Sequence, residues 1–84
     1  MPTYRFITDN GSSHYVDLDL PNDRAARAEG RRAFSEAAHD ILTDGDHGEL
    51  TFQVQNAERI IYRGHITFLS TDIGPLVNDG RRED

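Results

Sequence analysis

A single long stretch of helix-forming residues, 22–43, most constrains what this chain can fold into. Small and apolar residues recur in it at intervals of three and four, while the opposite positions are mainly charged. This spacing places the apolar residues on one buried face of a helix. Asn22 or Asp23 is expected to cap the first turn, and the segment 43–45 is typical of a helix end. The predicted buried stripe comprises Ala26, Gly30, Ala33, Phe34, Ala37, Ile41 and Leu42.

Gly30 is unusual inside this stripe, because a glycine in the middle of a helix costs about 1 kcal/mol relative to alanine. The structural interpretation is close approach, since a position without a side chain lets the helix lie directly on a sheet. Contact between the helix backbone and a ligand is the alternative interpretation.

Two segments before the helix, 3–8 and 15–20, alternate between apolar and polar residues and are separated by turn formers. With the turn centred near Gly11, apolar residues meet on one face and opposite charges meet on the other, which predicts a β-hairpin. The expected facing pairs are Phe6 with Val16, Tyr4 with Leu18, and Arg5 with Asp17.

A second pair of alternating segments follows the helix, at 50–55 and 60–68, with a turn at 56–59 between them. Residues 44–48 are predicted to form the loop that connects the helix to this second hairpin. Gly64 falls on the apolar side of its strand, where the missing side chain could leave room for the helix.

The order strand, strand, helix, strand, strand predicts an α+β fold. The simplest arrangement is a two-layer sandwich, in which one helix packs on one face of a four-stranded antiparallel sheet. Residues 1–70 are predicted to form a single domain, and residues 71–84 a flexible C-terminal tail. A chain of 84 residues buries only roughly 60% of its unfolded surface, so its stability is marginal unless it packs well or associates.

Composition excludes several classes of function. The chain has no cysteine, which rules out disulfides, thiolate catalysis and cysteine-based zinc sites. Its formal net charge of −6 argues against general binding to nucleic acid or anionic lipid. The start of the chain lacks the apolar core of a signal peptide, and no apolar run approaches the length of a membrane span. We therefore expect a cytoplasmic protein without membrane association.

Several short motifs together carry a family resemblance, which covers residues 2 to about 68. They are Pro2-x-Tyr4-x-Phe6, Asp9-x-Gly11, Leu20-Pro21, Ala25-Ala26-Arg27-Ala28-Glu29, and the alternating strands Leu50–Val54 and Tyr62–Phe68. In these residues the chain resembles a family of short, mostly alphaproteobacterial proteins known as a domain of unknown function. It departs from that family in its short first turn and in Gly30, where alanine would be usual. The resemblance implies the β-β-α-β-β fold but no activity and no catalytic residues.

Candidate metal and catalytic motifs do not complete the patterns that their chemistry requires. Residues 44–49 resemble a calcium loop, but EF-hand positions 5 and 12 would be Gly48 and Gln55. Glu36 and His39 have the spacing of a di-iron motif, which needs a second copy and two further glutamates. No Gly-x-Ser-x-Gly elbow supports a Ser–His–acid arrangement. We expect no metal, no cofactor and no catalytic activity.

The face of the sheet that one helix leaves uncovered is the leading candidate for function. Exposed apolar residues there can mark a protein contact, although simple exposure is the alternative interpretation. We therefore expect a small non-catalytic interaction or regulatory module that self-associates through this open face or an edge strand, or that binds another protein. The candidate residues on the open face are Arg5, Ile7, Tyr15, Ile61, Arg63 and His65, with Gln53 and Thr67 beside them.

A ridge of arginines on the helix supports an alternative hypothesis. Arg24, Arg27 and Arg31 lie on one side of the helix, with Arg32 beside them, and could contact phosphates in an antitoxin-like or nucleic-acid-binding domain. The acidic residues of the same helix and the negative total charge argue against this alternative, and a solvated helix face is the simpler interpretation.

Overall fold

The computed structural model describes residues 1–74, and within them the predicted order of elements is confirmed. The four strands form one antiparallel sheet in the order β2-β1-β3-β4, and the helix packs on one of its faces. The α+β, β-β-α-β-β fold class is therefore correct. Residues 75–84, which include most of the predicted tail, lie outside the described residues. The elements are β1 (Thr3–Asp9), β2 (Ser13–Asp19), α1 (Asp23–Asp44), β3 (His47–Gln55) and β4 (Ile60–Leu69).

The first hairpin has the predicted register. Its turn contains Gly11, whose φ of 108° lies in the left-handed region that favours glycine. The Gly11 N–H also donates a hydrogen bond to the Asp9 carboxylate at 3.0 Å, which closes a local turn. The facing pairs are Phe6 with Val16, Tyr4 with Leu18, and Arg5 with Asp17.

The second hairpin begins earlier than the sequence predicted. His47 and Gly48 belong to β3, where they pair with Leu69 and Phe68 of β4, so the prediction of a loop at these two positions is wrong. The absence of a side chain at Gly48 explains why pairing continues, because an added Cβ would lie 2.8 Å from the Phe68 ring. The connection from α1 to β3 is consequently very short.

The N-terminus of α1 is capped as expected. The side chain of Asn22 accepts a hydrogen bond from the Ala25 N–H at 2.9 Å, which satisfies one of the free amides of the first turn. At the other end, Gly45 follows the helix in an extended conformation. Within residues 1–74, no helix combines the length and the apolar character that crossing a bilayer requires.

Two glycines determine how closely α1 approaches the sheet. A Cβ added at Gly30 would lie 2.7 Å from Val54 of β3 and 3.1 Å from Tyr62 of β4. A Cβ added at Gly64 of β4 would lie 2.8 Å from the ring of Phe34 on the helix. Both distances are too short for a side chain to fit, so α1 can pack this closely on β3 and β4 only because these two positions are glycine. The outer strand β2 lies to one side of the helix.

The core forms where the helix meets the centre of the sheet. Phe52 lies at its middle, with ring centroids 6.3 Å from Phe6, 6.2 Å from Phe34 and 6.4 Å from Tyr62. These rings come from β1, α1, β3 and β4, so one aromatic cluster joins four of the five elements. The buried residues of the core cluster are Tyr4, Phe6, Ala26, Phe52 and Val54.

A polar network ties the start of α1 to the sheet. The Tyr4 hydroxyl donates a hydrogen bond of 2.7 Å to Asp23, and the Asn56 amide lies 3.4 Å from the same carboxylate. The bond from Tyr4 holds the pKa of Asp23 below its ordinary value, with further contributions from Asn56, Arg27 and Arg59. The pKa of Tyr4 is raised, mainly by burial and then by its bond to Asp23.

Acidification is expected to weaken this network. The pKa of Asp23 is lower in the folded chain than in the unfolded chain, where it is about 4. The ionised Asp23 therefore stabilises the fold fully above about pH 4, and this stabilisation is lost as the pH falls through the pKa of Asp23 in the folded chain. Tyr4→Phe removes the main cause of the shift. The difference in Tm between wild type and this variant should therefore shrink below about pH 4. Thermal unfolding followed by circular dichroism across this pH range measures the difference, with Tyr15→Phe as the control. A difference that stays constant with pH would contradict the prediction.

Candidate interaction surface

The predicted open face carries an arginine that is already bound within the domain. Arg5 on β1 bonds Asp17 on β2, with Nε 2.9 Å from Oδ1 and Nη2 3.1 Å from Oδ2. Its guanidinium carbon also lies 4.0 Å from the centre of the Tyr15 ring, in a cation–π contact. The bond from Arg5 holds the pKa of Asp17 below its ordinary value. Arg5, Tyr15 and Asp17 thus form a polar cluster at the β1–β2 side of the sheet.

The other polar candidates of the open face are paired in the same way. Arg63 on β4 donates to the Gln53 side chain at 3.2 and 3.1 Å. The ring of His65 lies 3.0 Å from the Thr51 hydroxyl through Nδ1, and 3.2 Å from the Thr67 hydroxyl through Nε2. Side chains of β3 and β4 therefore already bond Arg63 and His65, which leaves these two residues fewer polar groups for contact with a partner.

Two apolar candidates of the open face, Ile7 and Ile61, are less available than predicted, whereas Tyr15 remains 62% exposed. Ile7 is half-buried, between Tyr15 on β2 and Gln53 on β3. Ile61 is also only partly exposed and packs against the core cluster, so its predicted free exposure is corrected. The reason is a register shift: Val54 pairs with Tyr62 while Gln55 pairs with Ile60, which leaves Ile61 in a bulge.

Apolar side chains are also exposed on the helix side of β2, beside a groove. Val16 and Leu18 follow the alternation of core residues, yet 53% and 37% of their surfaces are exposed. They border a groove of about 300 Å³ between β2 and α1, which we call the β2 groove. Glu29 and Arg32 lie at its rim. The apolar lining of the β2 groove consists of Phe6, Val16, Leu18, Ala33, Ala37 and Phe52.

The rim of the β2 groove carries both signs of charge. Arg32 bonds Glu29 one turn before it and Glu36 one turn after it, with a distance of 2.6 Å to Glu36. The bond from Arg32 holds the pKa of Glu29 below its ordinary value. The predicted pair of Arg32 and Glu36 is confirmed. Glu29 and Arg32 thus give the rim one charge of each sign and no net charge.

The arginine ridge is only partly free for phosphate contacts. Arg27 donates through Nε to the backbone carbonyl of Ile61 at 3.1 Å, so it joins the helix to β4. Arg24 and Arg31 are exposed. The ridge therefore retains two solvent-facing arginines on a chain whose net charge is negative.

The candidate metal residues form at most pairs within the described part of the chain. His47 bonds its neighbour Asp46 at 2.9 Å, and Glu36 is engaged by Arg32 and not by His39. In the part of the chain that the structure describes, no group of three or more histidine or acidic residues is placed to hold a metal ion.

The width of the sheet was the signal that could have located the β2 groove from the sequence. An α-helix with its side chains is about 10–12 Å across, whereas strands lie about 4.8 Å apart. One helix therefore covers two or three strands, and one edge of a four-stranded sheet stays uncovered. Gly30 and Gly64 indicate which edge, because the close approach of α1 to β3 and β4 leaves β2 outside.

Comparison with known proteins identifies the family. Residues 3–67 match the family described as domain of unknown function DUF6894. No curated protein and no solved structure matches the chain. The matched segment begins with β1 and includes all but the last two residues of β4. Because the match covers well over half of the 84 residues, the chain belongs to the DUF6894 family.

Proposed function

We propose that this domain is a non-catalytic protein-interaction module that binds its partner through the β2 groove and the adjoining edge of β2. The observation that carries the proposal is the exposure of Val16 and Leu18, which the strand pattern assigns to a buried face. Burying one such side chain contributes roughly 1.5–3 kcal/mol. Because 53% of Val16 and 37% of Leu18 are exposed, a partner that covers them would gain roughly that fraction of this energy from each side chain.

The edge position of β2 supports the same proposal. β2 is the first strand in the sheet order, so one of its two edges has no neighbouring strand among residues 1–74. Unpaired backbone N–H and C=O groups on such an edge form hydrogen bonds with an added strand, and alternate side chains supply specificity. The β2 groove lies directly beside this edge, so a single partner segment can use both.

The surroundings of the histidines support a function without catalysis. His65 has the richest set of contacts, but 51% of its side chain is exposed on a flat sheet surface. Catalytic sites gain much of their effect by excluding water from charged groups. An open sheet surface does not provide that exclusion.

Photo-crosslinking in the cells that naturally produce the chain tests this proposal. A benzophenone amino acid placed at position 16 or 18 should give a discrete crosslinked product, because both positions border the β2 groove. The same probe at position 63 on the open face of β4 is the matched control and should give none. Products at position 63 with none at positions 16 and 18 would overturn the proposed surface.

A further inference from the structure

We infer that the partner of the β2 groove is a second copy of this chain, paired antiparallel through β2 about a two-fold axis centred on Val16. The inference rests on the proposed function, and it names the partner and the register of contact. The two four-stranded sheets would join edge to edge into one sheet of eight strands. A two-fold axis makes such an interface use the same residues on both copies.

The pattern of side chains on β2 suits pairing with itself. A two-fold axis perpendicular to the sheet keeps each face of β2 continuous with the same face of the partner's β2. Val16 and Leu18 of both copies then lie on the helix side, where the two β2 grooves merge into one apolar trench. Asp17 and Asp19 of both copies lie on the opposite, polar face. His14 shares the helix-side face and would lie opposite Leu18 of the partner subunit, so the trench is apolar at its centre and has an imidazole on either side.

The charges on the polar face favour this register over the one centred on Asp17. With the axis at Val16, Tyr15 faces Asp17 of the partner subunit, and the Arg5 guanidinium already lies over that Tyr15 ring. Arg5 is then close to two carboxylates, its own Asp17 at 2.9 Å and the partner's Asp17. With the axis at Asp17, the two Asp17 carboxylates would instead face each other directly, which is destabilising.

The opposite edge of the sheet is interrupted near its beginning, whereas β2 pairs regularly along its whole length. On β4, the carbonyl of Ile61 accepts the hydrogen bond from Arg27, and a bulge interrupts the strand beside it. A bulge is among the features by which proteins prevent pairing at an edge, and a carbonyl that already accepts a hydrogen bond is less free to bind an added strand. Over the described residues, the seven residues of β2 carry neither feature on their outer edge.

The rim charges do not oppose pairing of the two copies. Each rim contributes Glu29 and Arg32, which form an ion pair, so each copy presents one charge of each sign along the trench. A rim of one sign would repel its symmetric copy, whereas a mixed rim does not.

Single-cysteine variants test the pairing, because the natural chain contains no cysteine. Directly opposite residues in a strand pair have Cβ atoms roughly 4.5–5.5 Å apart, whereas diagonal neighbours are roughly 7–8 Å apart. Under mild oxidation, Val16→Cys should therefore form disulfide-linked dimers in most of the protein, and Asp17→Cys in only a minor fraction. Arg63→Cys on β4 is the control and should stay monomeric on a denaturing gel.

Light scattering on a size-exclusion column gives the second readout. Wild type should have twice the chain mass of 9.5 kDa, and Val16→Asp should have the single-chain mass with an unchanged circular dichroism spectrum.

A wild-type monomer at every concentration, or preferential crosslinking through Asp17→Cys or Arg63→Cys, overturns the inference. In-cell crosslinking at position 16 to a protein of another mass overturns the inference but supports the proposed function. No in-cell product at positions 16 and 18 contradicts both.

Discussion

Replacing Phe52 by alanine is expected to lower the free energy of unfolding by about 3–5 kcal/mol. Phe52 is only 3% exposed, and its ring contacts aromatic rings from β1, α1 and β4. Domains have about 0.05–0.15 kcal/mol of stability per residue, so this loss would remove a large part of the total for 84 residues. Urea unfolding followed by circular dichroism measures the change.

Phe52→Leu serves as the matched control for this prediction. Leucine retains most of the buried aliphatic volume, so its cost should be clearly smaller than that of alanine. The comparison separates the volume of the side chain from the aromatic contacts. A loss below about 1 kcal/mol for Phe52→Ala would show that the aromatic cluster is not the centre of stability.

Placing leucine at Gly30 is expected to have the second large effect. Leucine is a better helix former than glycine by almost 1 kcal/mol, so propensity alone predicts stabilisation. Contact with the sheet turns this expected stabilisation into a destabilisation, because even a Cβ at this position would lie 2.7 Å from the fully buried Val54. Overpacking of a core costs about 1–3 kcal/mol, and a whole leucine side chain here belongs at the upper end.

Ala28→Leu introduces the same side chain on the exposed side of the same helix. Its effect should stay within about 0.5 kcal/mol, since an exposed helix position accepts leucine without a clash. Chemical unfolding of both variants gives the comparison. If Gly30→Leu is as stable as Ala28→Leu, the helix does not depend on close approach at Gly30.

Much of this fold followed from local patterns in the sequence. The register of the first hairpin was correct because only one alignment places Arg5 opposite Asp17 and Phe6 opposite Val16. The helix was correct because its small residues repeat with helical spacing over six turns. Gly64 was correctly interpreted as space for the helix.

The features that the sequence did not predict depend on contacts between elements. The β3 strand includes Gly48 because of Phe68, which lies 20 positions later and fills the space beside it. The register shift at Gln55 depends on how β4 pairs with β3 and changes the surroundings of Ile61. Strand alternation alone carries no information on either feature.

The candidate surface moved from the open face to the β2 groove for a related reason. Alternation correctly pairs Arg5 with Asp17, but it does not show that Arg63, His65 and Gln53 are satisfied by bonds across neighbouring strands. It also assigns Val16 to the core without indicating that the helix fails to reach it. The sideways position of α1 decides which apolar residues remain available for binding.

The order of strands also has a consequence for how the chain reaches its native state. Each hairpin pairs residues that are near in sequence, but β1 joins β3 between positions such as Arg5 and Gln55, which are 50 residues apart. Closing so long a loop costs entropy before any contact compensates for it, so we expect the meeting of these two strands to limit the folding rate. The hairpins and the helix can form early as local units. Substitutions of residues that pair β1 with β3 should then slow refolding, whereas substitutions at the outer edge of β2 should mainly speed unfolding.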